Sequence, residues 1–394
     1  MKGISSVWVK NGNGWISPTR PRAGIKGVGE RIVFPPLTVD MTGINNCEGL
    51  GDSLMVGTIV TASKRFLTKF GADHNLTVDN LAVGGRGFWR AHNEIKGKGY
   101  TRSQTVLAVV VGLNDMKRGG MNPKTFSKVN ACMRTIISKH IVSNIVASGS
   151  ASVTPTGTMF RFNALTVGGY FSTARPPGNF ATRPNAAGAG TWTYAFTLTQ
   201  GQMGVNVIMS ASDNVTITGY GTGSIWVDDN FVTNVDLRTI YDGISDVDDN
   251  NTRGPLSFQF FGLNAGAHTI KVVANGDGFF PVDCFNIIDS LSSQGAMIFA
   301  EIPYNDTRGY KASGADKGTR QYSVEYSRLI YNNVLEYRAL GFNIGFINTN
   351  SYINLGAGMD SDGTHWNDHN NELMTDAFNS IVRFRGKPRF SRKS

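Results

Sequence analysis

The feature that most restricts how this chain can fold is a change of texture in its middle. From about residue 150 to 290 helical periodicity disappears. TWTYAFTL, VNVIMSA, NVTITGY, SIWVDD, LSFQFFGL, HTIKVVA and VDCFNII follow one another as short β-branched and aromatic runs, separated by Gly, Asn and Asp. Strands of that length and spacing build a β-sandwich. On both sides of this segment the pattern alternates strand with helix. The economical reading is one α/β fold interrupted by one sandwich.

The flanks carry the α/β signal. LTVDNLAV and QTVLAVVVGL precede the insertion, and AMIFAEIP and FNIGFIN follow it. QTVLAVVVGL is almost continuously apolar, as expected of a parallel strand buried on both faces. Residues 54–70 and 124–141 have helical spacing. In YSVEYSRLIYNNVLEYRAL, Tyr326, Ile330, Val334 and Tyr337 share a face, and Gly341 stops the helix. In NELMTDAFNSIVRF the stripe is Leu373, Ala377, Phe378, Ile381 and Val382. The expected domains are an α/β domain of residues 41–149 and 291–394, and a sandwich of residues 150–290. Residues 1–40 are short apolar fragments broken by Gly and Pro, and read as an arm or a small cap. Residues 171–190, with Pro176, Pro177 and Pro184, read as a long loop.

Charge divides along the same lines. The 394-residue chain carries +9, but residues 151–290 hold 6 Lys and Arg against 11 Asp and no Glu, or −5. The remainder carries +14. No nucleic-acid-binding motif accompanies the basic part, so nucleic acid is not an expected partner, and RFRGKPRFSRKS reads as a solvated tail. Cys47, Cys132 and Cys284 are too few and too far apart for a disulfide framework or a zinc ribbon. The stretch MKGISSVWVKNGNGWISPTRPRAG has no apolar core of a secretory signal, and no run approaches a membrane span. Synthesis in a cytoplasm without a signal peptide, and no membrane insertion, are therefore expected.

Four short blocks carry residues suited to acyl transfer, which needs a nucleophile, a base, an orienter for the base and oxyanion donors. GLGDSLMVG puts Ser53 between a strand and a helix start, where N–H groups point outward and the dipole favours negative charge. The same residues also compose ordinary turns. In GMDSDGTHWNDHN, His365 follows Asp362 by three residues. A carboxylate there can fix the imidazole tautomer, and a helix cap beside an incidental His is the alternative. His365 and His369 are four apart, but Trp366 stands where a zinc-protease helix has Glu, so neither metal nor cofactor is expected. VVVGLNDMKRGG ends a buried strand with Asn114, whose amide can donate from a rigid element. DNLAVGGRGFW puts Gly85 after another strand, where backbone can approach a ligand. Arg86, Phe88 and Trp89, just beyond, are the candidate substrate contacts. All four blocks sit at strand ends or helix starts, where open α/β sheets bind ligands.

Taken in order, these blocks resemble the SGNH/GDSL hydrolases. Gly51-Asp52-Ser53-Leu54 matches the first, Asn80 with Gly85 the second, Gly112-Leu113-Asn114-Asp115 the third, and Asp362 with His365 the last. The resemblance implies a three-layer α/β/α, flavodoxin-like domain. It makes Ser53 the nucleophile, His365 the base and Asp362 its orienter. Ser53 N–H, Gly85 N–H and the Asn114 side chain form the implied oxyanion hole. It covers roughly residues 41–145 and 292–394, and the inserted domain accounts for the long gap between Asn114 and Asp362.

Within the insertion, LNAGAHTIKVVANG and FPVDCFNIID resemble the closing strands of galactose-binding-like jelly rolls, common among carbohydrate-binding modules. The insertion then either binds sugar or shapes the active-site wall. Trp192, Tyr194, Tyr220 and Trp226 are either sugar-stacking or core residues. Asp242, Asp246, Asp248 and Asp249 lack EF-hand spacing and read as a solvated acidic loop, with calcium as the alternative. Sandwich, arm and missing signal together resemble phage tail-fibre or tailspike deacetylases. That resemblance implies a virion location, action at a cell surface, and virion or homo-oligomer contacts through the arm. The expected function is a serine esterase removing acyl groups, acetyl above all, from an acetylated polysaccharide. The alternatives are a lipid esterase or thioesterase of the same family, and a non-catalytic glycan-binding receptor-binding protein.

Overall fold

Thr105–Val110 is buried along its whole length, as its unbroken apolar pattern requires. It is the middle strand of five parallel ones in the computed structural model of this chain. The structure describes residues 7–12, 14–17, 34–88, 91, 102–120, 122–156, 159–162, 181–184, 189–212, 220–238, 253–278, 280–303, 320–354, 360 and 364–384. The chain forms two compact units. Of the described residues, those within 34–91, 102–120 and 292–384 belong to one, and those within 7–17 and 122–291 to the other.

The first unit is α/β. Its strands are β1 (Asn46–Gly51), β2 (Thr77–Asn80), β3 (Thr105–Val110), β4 (Ala296–Ala300) and β5 (Ile344–Ile347). They lie in the order β2-β1-β3-β4-β5, every pair parallel. Its helices are α1 (Ser53–Val56), α2 (Phe66–Asp73), α3 (Leu113–Gly119), α4 (Arg320–Ala339) and α5 (Asp368–Ile381). β1 and β3–β5 are almost wholly buried, whereas the edge strand β2 alternates exposed and half-buried residues. Successive side chains on a strand point to opposite faces. On β5, Phe346 meets Tyr331 of α4, while a Cβ at Gly345 would face Ile381 of α5. Those two helices therefore cover opposite faces of the sheet.

The second unit is a sandwich. Its five-stranded sheet runs Asn230–Asp236, Thr222–Val227, Gly266–Ala274, Gly190–Leu198, Val153–Thr156, all antiparallel. Gly190–Leu198 alternates cleanly, burying Trp192, Tyr194, Phe196 and Leu198. Tyr194 meets Phe285 of the other sheet at 5.4 Å between ring centroids, so the two sheets share one core. The eight-stranded sheet runs Gly14–Ile16, Val7–Asn11, Arg253–Phe261, Gly204–Ser212, Val282–Ile288, Ala181–Pro184, Met159–Phe162, with Val142–Ala147 also paired to Val282–Ile288.

Two parts of this unit differ from the sequence expectation. Residues 7–11 and 14–16, read as an arm, are strands of the eight-stranded sheet: Val7–Asn11 runs parallel to Arg253–Phe261. The helix Pro123–Ile141, expected in the α/β domain, packs on Arg253–Phe261, where Gln259 Nε2 donates to the Arg134 carbonyl at 3.2 Å. Among the described residues no helix is long and apolar enough to cross a membrane. All three cysteines are buried thiols.

Candidate active site

Ser53 begins α1 directly beyond the C-terminal end of β1. Glycines make that corner possible. A Cβ on Gly51 would collide with the Val110 carbonyl and stand 2.5 Å from Met55 Cβ, and one on Gly49 would collide with Leu67. The chain can therefore leave β1 tightly against β3 and turn at once into the helix. Asp52 caps it, its side chain accepting the Leu54 N–H at 3.0 Å. Asp52 is buried, and its Oδ2 has no hydrogen-bond partner among the described residues. Burial pushes its pKa up to about 7; the Leu54 N–H and Lys117 work against that rise, and Asp115 adds to it.

The loop after β2 is tied to the same corner. Asn80 Nδ2 donates to the Met55 carbonyl at 3.0 Å, and its Oδ1 accepts the Ala82 N–H at 3.1 Å. The Val83 N–H reaches the Gly51 carbonyl at 3.1 Å. A turn then closes from the Arg86 N–H to the Val83 carbonyl at 3.3 Å. Its third residue, Gly85, has φ +77°, which a type II turn requires at that position. A Cβ at Gly84 would lie 3.9 Å from Ser53 Cβ, so this turn sits against the candidate nucleophile.

Helix α3 holds the turn from the other side. The Asn114 amide donates to the Arg86 carbonyl at 2.9 Å. One amide N–H is thereby used and a second remains for a ligand. Asp115, buried, accepts the Phe88 N–H at 2.9 Å. Arg118 donates to the Gly85 carbonyl at 3.2 Å.

His365 is half-buried, and its carbonyl accepts the Asp360 N–H at 2.9 Å. Its neighbours are pinned. Lys117 Nζ donates to Thr364 Oγ1 at 3.4 Å, and Trp366 meets Phe66 edge-on at 6.3 Å. Asn371 Nδ2 donates to the Trp366 carbonyl at 3.5 Å, and Asn371 Oδ1 accepts the Phe66 N–H at 3.2 Å. Asn367 caps α5. Among the described residues no hydrogen bond joins Ser53 to His365. Such bonds commonly tighten only when substrate is bound.

Ser53, Gly85 and Asn114 are thus brought together around one turn. Asp362 and Trp89 lie outside the described residues, as do Asp242, Asp246, Asp248 and Asp249. Phe88 corrects an expectation: it is fully buried, and its ring lies under Gly112, so it anchors the loop instead of facing a ligand. Arg86 is half-buried beside it. In the sandwich, Trp192, Tyr194 and Tyr220 are core residues. Trp226 is half-buried, with its indole N–H on Ser224 Oγ at 2.9 Å and its ring against exposed Phe231. Sequence reasoning missed Asp115 and Arg118 as supports of the loop. Asp115 was visible inside the GLND block, but nothing in one dimension shows that Arg118 reaches Gly85. Among the described residues no three of His, Cys, Asp and Glu form a group that could hold a metal ion.

No protein-family model matches this chain, and no curated protein matches it. Solved structures do. A family 35 carbohydrate-binding module from Clostridium thermocellum is similar over 38% of this chain and 100% of its own, at 14% identity and a TM-score of 0.25. One from Cellvibrio japonicus is similar over 37% of this chain and 94% of its own, at 12% identity and a TM-score of 0.25. An exo-β-1,3-galactanase from Phanerochaete chrysosporium is similar over 37% of this chain and 29% of its own, at 13% identity and a TM-score of 0.24.

Proposed function

We propose that the α/β unit is a serine esterase of the SGNH/GDSL type, and that its substrate is an acylated, foremost acetylated, polysaccharide. The strand order β2-β1-β3-β4-β5 supports it. That is the flavodoxin-like order, in which ligands bind beyond the strand C-termini where the order reverses, between β1 and β3. Ser53 leaves β1 and Asn114 follows β3. The observation that carries the reading is the packing of the Gly84–Gly85 turn against Ser53, with Asn114 hydrogen-bonded to the same turn.

In this reading the ester is cleaved through an acyl-enzyme. Ser53 Oγ attacks the ester carbonyl carbon, and its proton passes to His365. The carbonyl oxygen becomes an oxyanion held by the Ser53 N–H, the Gly85 N–H and the Asn114 amide. Collapse expels the sugar hydroxyl, which takes the proton from His365. Water, losing a proton to His365, attacks the acyl-enzyme, and departure of the carboxylic acid returns the proton to Ser53. In this scheme Asp362 orients the imidazole. The polysaccharide preference rests on the jelly-roll resemblance of the sandwich strands and is independent of the esterase assignment.

The test is acetate release from a panel of acetylated bacterial and plant glycans, beside acetyl and long-chain p-nitrophenyl esters. Release from a glycan, with weak turnover of the long-chain ester, is the expected result. Preference for the long chain would replace the polysaccharide with a lipid substrate.

A further inference from the structure

Three hydrogen bonds join α3 to the loop that follows β2. Arg118 holds the Gly85 carbonyl, Asn114 the Arg86 carbonyl, and Asp115 the Phe88 N–H. Asn80 and the Val83 N–H tie the start of the loop to the β1 corner, and these three bonds hold its far side. Gly84 and Gly85 are its central residues, and a Cβ on Gly85 would meet nothing within 4 Å. The N–H of Gly85 is the donor proposed for the oxyanion, so the place of this turn sets the place of that donor.

We propose that Arg118 is a positioning residue: with Asn114 and Asp115 it holds the Val83–Arg86 turn against α3, in the place from which the Gly85 N–H reaches the reacting carbonyl. The carbonyl of Gly85 belongs to the peptide following that residue. Holding it on a guanidinium tethers the exit of the turn to α3, while the Arg86-to-Val83 hydrogen bond closes the turn. Asp115 supplies the second hold, three residues on. The buried carboxylate oxygens occupy the space beside Gly87, where a Cβ would stand 2.7 Å from Asp115 Oδ1. Small displacements of an oxyanion donor reduce turnover far more than they reduce binding. The inference rests on the esterase reading for its consequence, but not for its geometry.

The experiment compares wild type with Arg118→Ala and Arg118→Lys. In Arg118→Ala, kcat for p-nitrophenyl acetate should fall about 10- to 100-fold with little change in KM. Free guanidinium should restore part of the loss. Arg118→Lys should recover less than the rescue, because an ammonium cannot reproduce the planar fork. Amide exchange of Arg86, whose N–H closes the turn on the Val83 carbonyl, should accelerate about tenfold in nitrogen-15-labelled Arg118→Ala and slow again with guanidinium. Unchanged Arg86 exchange overturns the clamp whether or not the protein hydrolyses esters. Altered exchange with kcat within twofold of wild type overturns the positioning role. Wild-type protein without esterase activity would instead sink the functional reading, and the exchange measurement alone would then judge the clamp.

Discussion

Asp52 Oδ1 accepts the Leu54 N–H at 3.0 Å, and the capped helix begins with Ser53. The residue before the candidate nucleophile is thus a buried acid whose second oxygen is unpartnered among the described residues. Burial raises its pKa to about 7. The unfolded value is about 3.9. Between those values the folded protein keeps a proton that the unfolded chain has lost. Unfolding then releases a proton, so stability falls as pH rises through that window and levels off above about 7. The full effect is on the order of 4 kcal/mol. Asp52→Asn keeps an oxygen for the Leu54 N–H and removes the titration. Urea unfolding from pH 4 to 8 should show a flatter pH dependence for the variant; an unchanged slope would assign the titration to another group.

Two glycines near Ser53 fail for different reasons when given a side chain. Gly51→Ala forces a methyl group onto the Val110 carbonyl and Met55, at a cost of about 1–3 kcal/mol. Gly85→Ala meets no atom but must hold φ +77°, costing about 1–2 kcal/mol. Thermal melts should place Gly51→Ala at or below Gly85→Ala in stability, and esterase turnover should fall in Gly85→Ala even where it remains folded. A Gly85→Ala protein with full turnover would show that an alanine holds the turn, and its N–H, in place despite the positive φ.

The His365 segment depends on Trp366. Its ring is buried against Phe66, and Asn371 bonds both the Trp366 carbonyl and the Phe66 N–H. Trp366→Ala should cost about 3–5 kcal/mol, and Trp366→Phe should cost clearly less. Denaturant titration checks both. Equal losses would mean that the indole's volume is not what holds the segment.

Trp192 and Trp226 differ in the same way within the sandwich. Trp192 is fully buried, whereas Trp226 lies half-buried against exposed Phe231. Trp192→Ala should cost about 3–5 kcal/mol in chemical denaturation. Trp226→Ala should cost about 1 kcal/mol or less, as expected outside a core. Comparable losses would place Trp226 in the core as well.

The contrast between those tryptophans shows what sequence could not tell. Strand residues alternate faces, but which face is covered is a tertiary fact, so Trp192 and Trp226 read alike. β3, β4 and β5 were legible because burial on both faces leaves an unbroken apolar run. Pro123–Ile141 was legible as a helix but not as part of the second unit. Lys128, Arg134, Lys139 and His140 are buried in it beside apolar residues, which blurs the stripe that would have shown its packing face. Val7–Asn11 reads as an isolated fragment because its sheet partner, Arg253–Phe261, is remote in sequence. At the site, Ser53, Gly85 and Asn114 were legible as residue types at strand ends. Phe88 was misread as a substrate contact because its aromatic ring, just past a glycine loop, fits a core anchor equally well.

Ser53→Ala tests the central claim most directly. Ser53 is half-buried and its backbone does the structural work, its carbonyl accepting the N–H groups of Gly57 and Thr58. The variant should therefore keep the circular dichroism spectrum and melting temperature of wild type. Acetate release by wild type and Ser53→Ala, measured side by side on acetylated glycans and p-nitrophenyl acetate, should show turnover lost in the variant. Retained turnover in a folded Ser53→Ala protein would contradict the account.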